Sequence, residues 1–402
     1  MQTKRLTKLL LLLAAFALFA AACGGDDGDD EAVETEETAA PAATTEAMVE
    51  EEPMEEEMSM TPGEGVSVTM ARADWSTGYF QAQVYKQMLE ELGYEVSEPS
   101  EAELGPSLAY LAMAEGDVDF WANSWYPGHN SWWEPELPDG STVGDHLEKV
   151  GAVFQGGGLQ GFLVTKSVAD EHGITHIDQI NDDPDIRALF DSDGDGIAEI
   201  YGCQESWTCD NIITAQIAFS GWDNITQTIA GYDAMFAEAE AKMNAGEPAV
   251  IYTWTPSAYI TQIRPGGNAY WIAMENVLDD SNPTGFDGGE EFDQRFYATG
   301  EEVRLDIPAD QCPAADVDGF CRLGWVPADI QVTANKEWLA ANPAAAALLR
   351  EAKLSVIDVS LANVEQAGGK DTEAEIAQLA ADWIAANRGT VDAWLETARA
   401  AA

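Results

Sequence analysis

From residue 66 onward, short apolar runs alternate with segments whose apolar side chains recur every three or four positions. VSVTMARADW (66–75) is strand-like and runs into a polar turn; YFQAQVYKQMLEELGY then has helical spacing and stops at Gly93. Alternation of this kind predicts a parallel α/β sheet. Two units echo each other. SLAYLAMAEGDVDFWANSWYP (107–127) reads as helix, Gly-Asp turn, apolar strand and Trp-x-Pro; MFAEAEAKMNAGEPAVIYTWTP (235–256) reads the same way. In each, the tryptophan (Trp125, Trp254) falls at the carboxyl end of a strand, where open α/β sheets hold their ligands.

GGGLQGFLVTKSVADEHG (156–173) opens a fresh unit of glycines, strand and helix. DGFCRLGWVPADIQVTANKEWLAANPAAAALLREAKL (318–354) returns to a strand and one long helix. The chain is therefore expected to cross between two lobes near 157 and 326. The first lobe takes 66–157 and 327–402, with the helical segment 371–402 packed back on it, and the second takes 158–326.

The first 65 residues do not join this pattern. Lys4, Arg5 and Lys8 precede an apolar run from Leu9 to Ala22, too short to span a bilayer comfortably but suited to a signal peptide over 1–22. Cys23 stands where a lipoprotein signal is cut and its cysteine lipidated, which predicts an extracytoplasmic protein tethered to the membrane. Residues 23–65 follow as an acidic linker; 24–65 carry sixteen Asp and Glu with no Lys or Arg, a composition unable to bury a core. With those acids and the three leader cations set aside, −40 of the net charge of −53 remains on the body. Nucleic acid and anionic membrane are poor partners for such a surface. The four remaining cysteines are closely spaced in pairs, which predicts disulfides Cys203–Cys209 and Cys312–Cys321 in an exported chain.

FWANSWYPGHNSWW (120–133) crowds four of the thirteen tryptophans around a turn. GCQESWTCDN (202–211) holds another indole, Trp207, inside the small loop a 203–209 disulfide would close, with Asp210 as the expected N-cap of the next helix. That helix start directs the amides of Thr208 and Cys209 at the space beside Trp207, a ready site for a carboxylate. Indole faces suit a quaternary ammonium, which has no N–H to donate, at about 0.5–2 kcal/mol each. An N-methylated amino acid adds a carboxylate, for which His129 is a further donor.

SWYPGH, GCQESWTCDN and IYTWTP, in this order and spacing, resemble the glycine betaine/proline betaine-binding proteins of ProU-type ABC importers. The resemblance takes in LFDSDGDGIAEIYGC and ANKEWLAANPAAAALL and covers most of 67–395. It implies an α/β, two-lobed type II periplasmic-binding-protein fold with the ligand in the cleft. It also implies a monomer that captures a betaine and hands it to a membrane permease, with no cofactor. By motif, the tryptophan box is Trp125, Trp207 and Trp254, and the carboxylate site is His129 with the backbone N–H groups of Thr208 and Cys209. Thr208 stands where that pattern has Gly, a change that backbone donation survives; Cys312–Cys321 is an addition to the pattern.

Trp121, Trp132 and Trp133 are expected to pack or to form the cleft rim. Trp75 and Trp325 are candidates to line the cleft but stand outside the assigned site. Asp191, Asp193, Asp195 and Glu199 open like a calcium loop, but its twelfth position is Gly202 instead of a bidentate Glu, so a structural Ca2+ and a solvated acidic turn are both open. No GxSxG or HExxH supports an enzyme. A sugar-binding lipoprotein is the alternative on the same fold, but WYPGH, SWTC and YTWTP offer few of the Asp, Asn and Arg groups that sugar sites interleave with aromatics.

Overall fold

The computed structural model describes residues 59–275 and 304–402. The leader, Cys23 and most of the acidic linker lie outside the described residues. Among the described residues, no helix is long and apolar enough to cross a membrane.

A nine-stranded sheet organises the chain. At one flank Met70–Ala73 pairs parallel with Glu103–Leu104 and with Phe120–Tyr126. At the other, Ala198–Tyr201 pairs parallel with Ile225–Thr228 and Val250–Thr255. Between them lie two strands that break the expected all-parallel order. Leu147–Thr165 and Ala328–Asn335 pair antiparallel with each other, and each pairs antiparallel with the flank beside it. The reason is directional: one carries the chain out of the first half and the other brings it back.

Leu147–Thr165 is nineteen residues long and serves both halves. Its residues up to Gly158 pair with Ala328–Asn335, and those from Leu159 pair with Val250–Thr255. The register slips around Gly156, whose φ of +60° favours glycine and whose N–H donates to Asp329 Oδ1 at 2.7 Å. Gly158 has a different reason to be glycine, since a Cβ there would stand 2.8 Å from Cζ3 of Trp125.

The helices follow the apolar spacing. Tyr79–Glu91 buries Phe80, Val84, Tyr85, Met88 and Leu89. Pro106–Glu115 and Tyr232–Ala245 both end on left-handed glycines, Gly116 and Gly246, the shared helix–turn–strand grammar of the two echoing units. The expected long helix after residue 335 is instead two, Lys336–Ala341 and Pro343–Glu351. Pro343 has no N–H to continue the ladder and pushes Asn342 out of helical geometry, at φ −129° and ψ 68°. The C-terminal segment forms Glu373–Ala386, packed on Tyr79–Glu91, and Arg388–Ala400, packed on Pro343–Glu351. Both disulfides, Cys203–Cys209 and Cys312–Cys321, are formed.

Candidate functional site

Trp125 and Trp254 are each the penultimate residue of a strand, Phe120–Tyr126 and Val250–Thr255, and each strand ends in a cis X-Pro bond, Tyr126–Pro127 and Thr255–Pro256. Trp207 is the residue before helix Thr208–Phe219, held there by the Cys203–Cys209 bridge. The three indoles, His129, Thr208 and Cys209 all line one pocket. The six residues singled out in the sequence, spread over 130 positions, are therefore brought together.

Each indole is fixed through its N–H. Trp125 donates to Asn123 Oδ1 at 2.7 Å, Trp207 to Asp74 Oδ1 at 2.8 Å and Trp254, more loosely, to Thr77 Oγ1 at 3.4 Å. All three rings line the pocket. Trp207 and Trp254 stand nearly perpendicular, 86° apart with centroids 5.5 Å apart.

His129 lies in the 3-10 turn Gly128–Trp133 and stacks on Trp121, with centroids 5.6 Å apart and planes 14° apart. Its Nδ1 accepts the backbone N–H of Trp125 at 3.1 Å, and the Tyr110 hydroxyl is 3.2 Å from the same nitrogen. Because Nδ1 accepts a backbone N–H, the proton of the neutral ring sits on Nε2, which becomes a donor. Burial, helped by the nearby charge of Lys149, pushes the His129 pKa down to about 3, so the ring is neutral across the physiological range. Lys149 itself lies over the Tyr126 ring at 3.7 Å and bonds Asn130 Oδ1 at 2.7 Å.

Thr208 and Cys209 are the first two residues of their helix, where N–H groups have no intrahelical acceptor. Asp210 is not the N-cap expected from the sequence. The helix starts three residues earlier, Trp207 takes the cap position, and Asp210 sits in the first turn, where its Oδ1 accepts Gln227 Nε2 at 2.9 Å. An acid there still complements the positive end of the helix. Thr208 has a side-chain role too, since its Oγ1 accepts the indole N–H of Trp132 at 2.8 Å.

The pocket also has walls left out of the sequence assignment. Trp75 stands edge to face with Trp207, centroids 5.5 Å apart, and is backed by Trp121 at 5.7 Å. Tyr252 and Gln160 form another side, joined by a 2.7 Å hydrogen bond from the phenol to Oε1. Trp75 was recoverable by the rule that marked Trp125 and Trp254, because it too follows the carboxyl end of a strand. Tyr252 and Gln160 sit mid-strand with nothing local to mark them. Trp325 is buried against Phe162 and Tyr252, behind the pocket wall. Trp121 is fully buried behind His129, and Trp133 donates to Tyr126 Oη at 2.9 Å. Among the described residues, no Asp, Glu, Lys or Arg lines the pocket.

Asp191, Asp193, Asp195 and Glu199 bring one carboxylate oxygen each within 4.8 Å of one another. Backbone amides already occupy several of these oxygens: Asp191 accepts from Gly194, Asp195 and Gly196, and Glu199 from Ser192. These are the residues able to hold a cation, and the turn leads through strand Ala198–Tyr201 to Cys203.

The substrate-binding domain of ABC-type glycine betaine transport systems (OpuAC) matches residues 66–386. A glycine betaine/proline betaine-binding periplasmic protein of Escherichia coli (strain K12) is 30% identical over 341 residues, 85% of this chain and 92% of the relative. An ABC-transporter choline-binding protein solved with choline superposes with a TM-score of 0.58 at 15% identity, covering 83% of this chain and 96% of that one. Lactococcal OpuAC, closed on glycine betaine, gives 0.54 at 15% identity, covering 82% and 99%. The fold is thus the two-lobed α/β fold of periplasmic binding proteins. On the match over 66–386 and the identity over 341 residues, the chain belongs to the family of substrate-binding domains of ABC-type glycine betaine transport systems, which bind for transport and are not enzymes.

Proposed function

We propose that this protein works outside the cytoplasm, captures a zwitterionic quaternary-ammonium osmolyte of the betaine class and delivers it to an ABC permease. The trimethylammonium end lies among Trp125, Trp207 and Trp254, and the carboxylate is taken by His129 Nε2–H and the amides of Thr208 and Cys209. The observation that carries this reading is the composition of one pocket. It has indole walls, a neutral imidazole donor and a helix start, and among the described residues no charged side chain lines it. A cation without N–H groups gains from indole faces and needs no carboxylate contact. The alternative of a sugar ligand draws no support from such a lining.

Capture proceeds by closure of two lobes, 66–157 with 327–402 against 158–326. Side-chain bonds span these segments at the pocket, among them Trp207 to Asp74, Trp254 to Thr77 and Trp132 to Thr208. The protein acts as a monomer, tethered by a lipid on Cys23 with 24–65 as spacer. A cation at the Asp191–Glu199 turn, if bound, stiffens the approach to Cys203 and takes no part in capture.

Isothermal titration of the purified protein with glycine betaine, choline and glycine tests the reading. Strong heat for betaine with little for the other two is expected. Equal binding of choline removes His129 and the two amides from the account, and no heat with any of the three overturns it.

A further inference from the structure

The indole end of the pocket has a charged group directly behind it. Asp74 follows strand Met70–Ala73, is half-buried, and accepts the Trp207 indole N–H at 2.8 Å through Oδ1. No ion pair among the described residues includes Asp74. Arg72, two residues before it, is taken by Glu103 and Glu373. A carboxylate drawn out of water without a counter-charge is costly. Burial pushes the Asp74 pKa up, while bonds from Trp207 and Ser206 favour its charged form. The fold therefore keeps an acid without a cationic partner against the edge of one of the three assigned box indoles.

We propose that Asp74 is the residue that makes the box prefer a cation over an uncharged group of the same shape. Three indoles alone are greasy as well as negative-faced, and would accept a tert-butyl group by burial. A carboxylate on the indole N–H pushes electron density into the ring, deepening the negative face that the ligand meets. Its own charge acts over the same short, poorly hydrated distance. The trimethylammonium supplies the counter-charge that Asp74 lacks, without touching it. The helix start at Thr208 and the charge of Lys149 near His129 have the reverse sign.

This inference rests on the betaine reading, and its test separates the two. Wild type and Asp74→Asn are titrated with glycine betaine and with 3,3-dimethylbutyrate, its carbon isostere, which keeps the carboxylate and the shape but not the positive charge. Asn retains an acceptor for Trp207, so the contact across the cleft survives. The expected result is that Asp74→Asn lowers the preference for betaine over the isostere by roughly tenfold, with betaine weakened and the isostere unchanged or tighter. If both ligands weaken by the same factor, Asp74 merely positions Trp207, and the proposal falls. An unchanged preference overturns it equally. Asp74→Thr, a second neutral variant, must repeat the result, and thermal melts establish that each variant is folded. A wild type that binds neither ligand defeats the betaine reading itself.

Discussion

Replacing Trp254 by Leu removes the quadrupole of one wall while leaving apolar bulk behind. The indole is buried, at 3% exposure, and packs against Trp207 and Tyr232, with centroids 5.5 and 4.8 Å away. Its N–H bond to Thr77 is long at 3.4 Å, so little hydrogen-bond energy goes with it. One desolvated cation–π face contributes about 0.5–2 kcal/mol. At about 1.4 kcal/mol per decade, betaine affinity should fall between roughly twofold and thirtyfold. Truncation to Ala also opens a cavity and should reach at least about tenfold, as should Trp207→Ala. Isothermal titration reads the loss, with circular dichroism and melting as checks on folding. The uncharged isostere 3,3-dimethylbutyrate should lose much less in Trp254→Leu, because its gain is burial alone. Betaine affinity within about twofold of wild type in folded Trp254→Leu and Trp254→Ala would refute the cation–π argument.

His129 makes two further predictions. With a folded-state pKa of about 3 against an ordinary 6.5, the native state resists a proton that the unfolded chain accepts. Stability is therefore full above pH 6.5 and is lost as pH falls towards 3, by about 2–3 kcal/mol at pH 4.5. In urea unfolding, His129→Asn should show a smaller loss between pH 7 and 4.5 by that amount; equal losses would place the pH response elsewhere. The same variant keeps an acceptor for the Trp125 N–H but loses the Nε2 donor, so it should weaken betaine more than choline. Gly158→Ala should lower betaine affinity, since its Cβ would stand 2.8 Å from the Trp125 ring and 3.0 Å from Ala328 Cβ; unchanged titration would show that the indole yields freely. A structural Ca2+ at Asp191–Glu199 predicts a melting temperature that rises with calcium, falls with EDTA, and stops responding in Asp193→Asn; a flat response in wild type identifies a solvated turn.

Much of this molecule was legible in local order. Signals that act within a few residues were sufficient for the Tyr79–Glu91 helix, the glycine stops at Gly116 and Gly246, and the two cysteine pairs. Apolar period, left-handed glycine and short loop closure are properties of the neighbouring chain. The same holds for Trp125 and Trp254, marked by their place at strand ends. Local reading failed where neighbours in space decide. Asp210 looked like a cap, yet the helix starts at Thr208. The parallel sheet held at the flanks but not in the middle, where two crossing strands must run in opposite directions. The break at Asn342–Pro343 was written in the sequence, but apolar spacing hid it.

By itself, then, the sequence determined the elements, the bridges and which indoles stand at strand ends. Only the tertiary structure decided that Tyr252 and Gln160 complete the wall, that the Trp125 amide leaves the His129 proton on Nε2, and that Asp74 stands behind Trp207, 133 residues away in the chain. The Gln160–Tyr252 and Asp74–Trp207 contacts join segments far apart in the chain, a distance no local pattern carries, and the Trp125–His129 bond, though only four residues apart, depends on the turn that folds the imidazole back on the strand end.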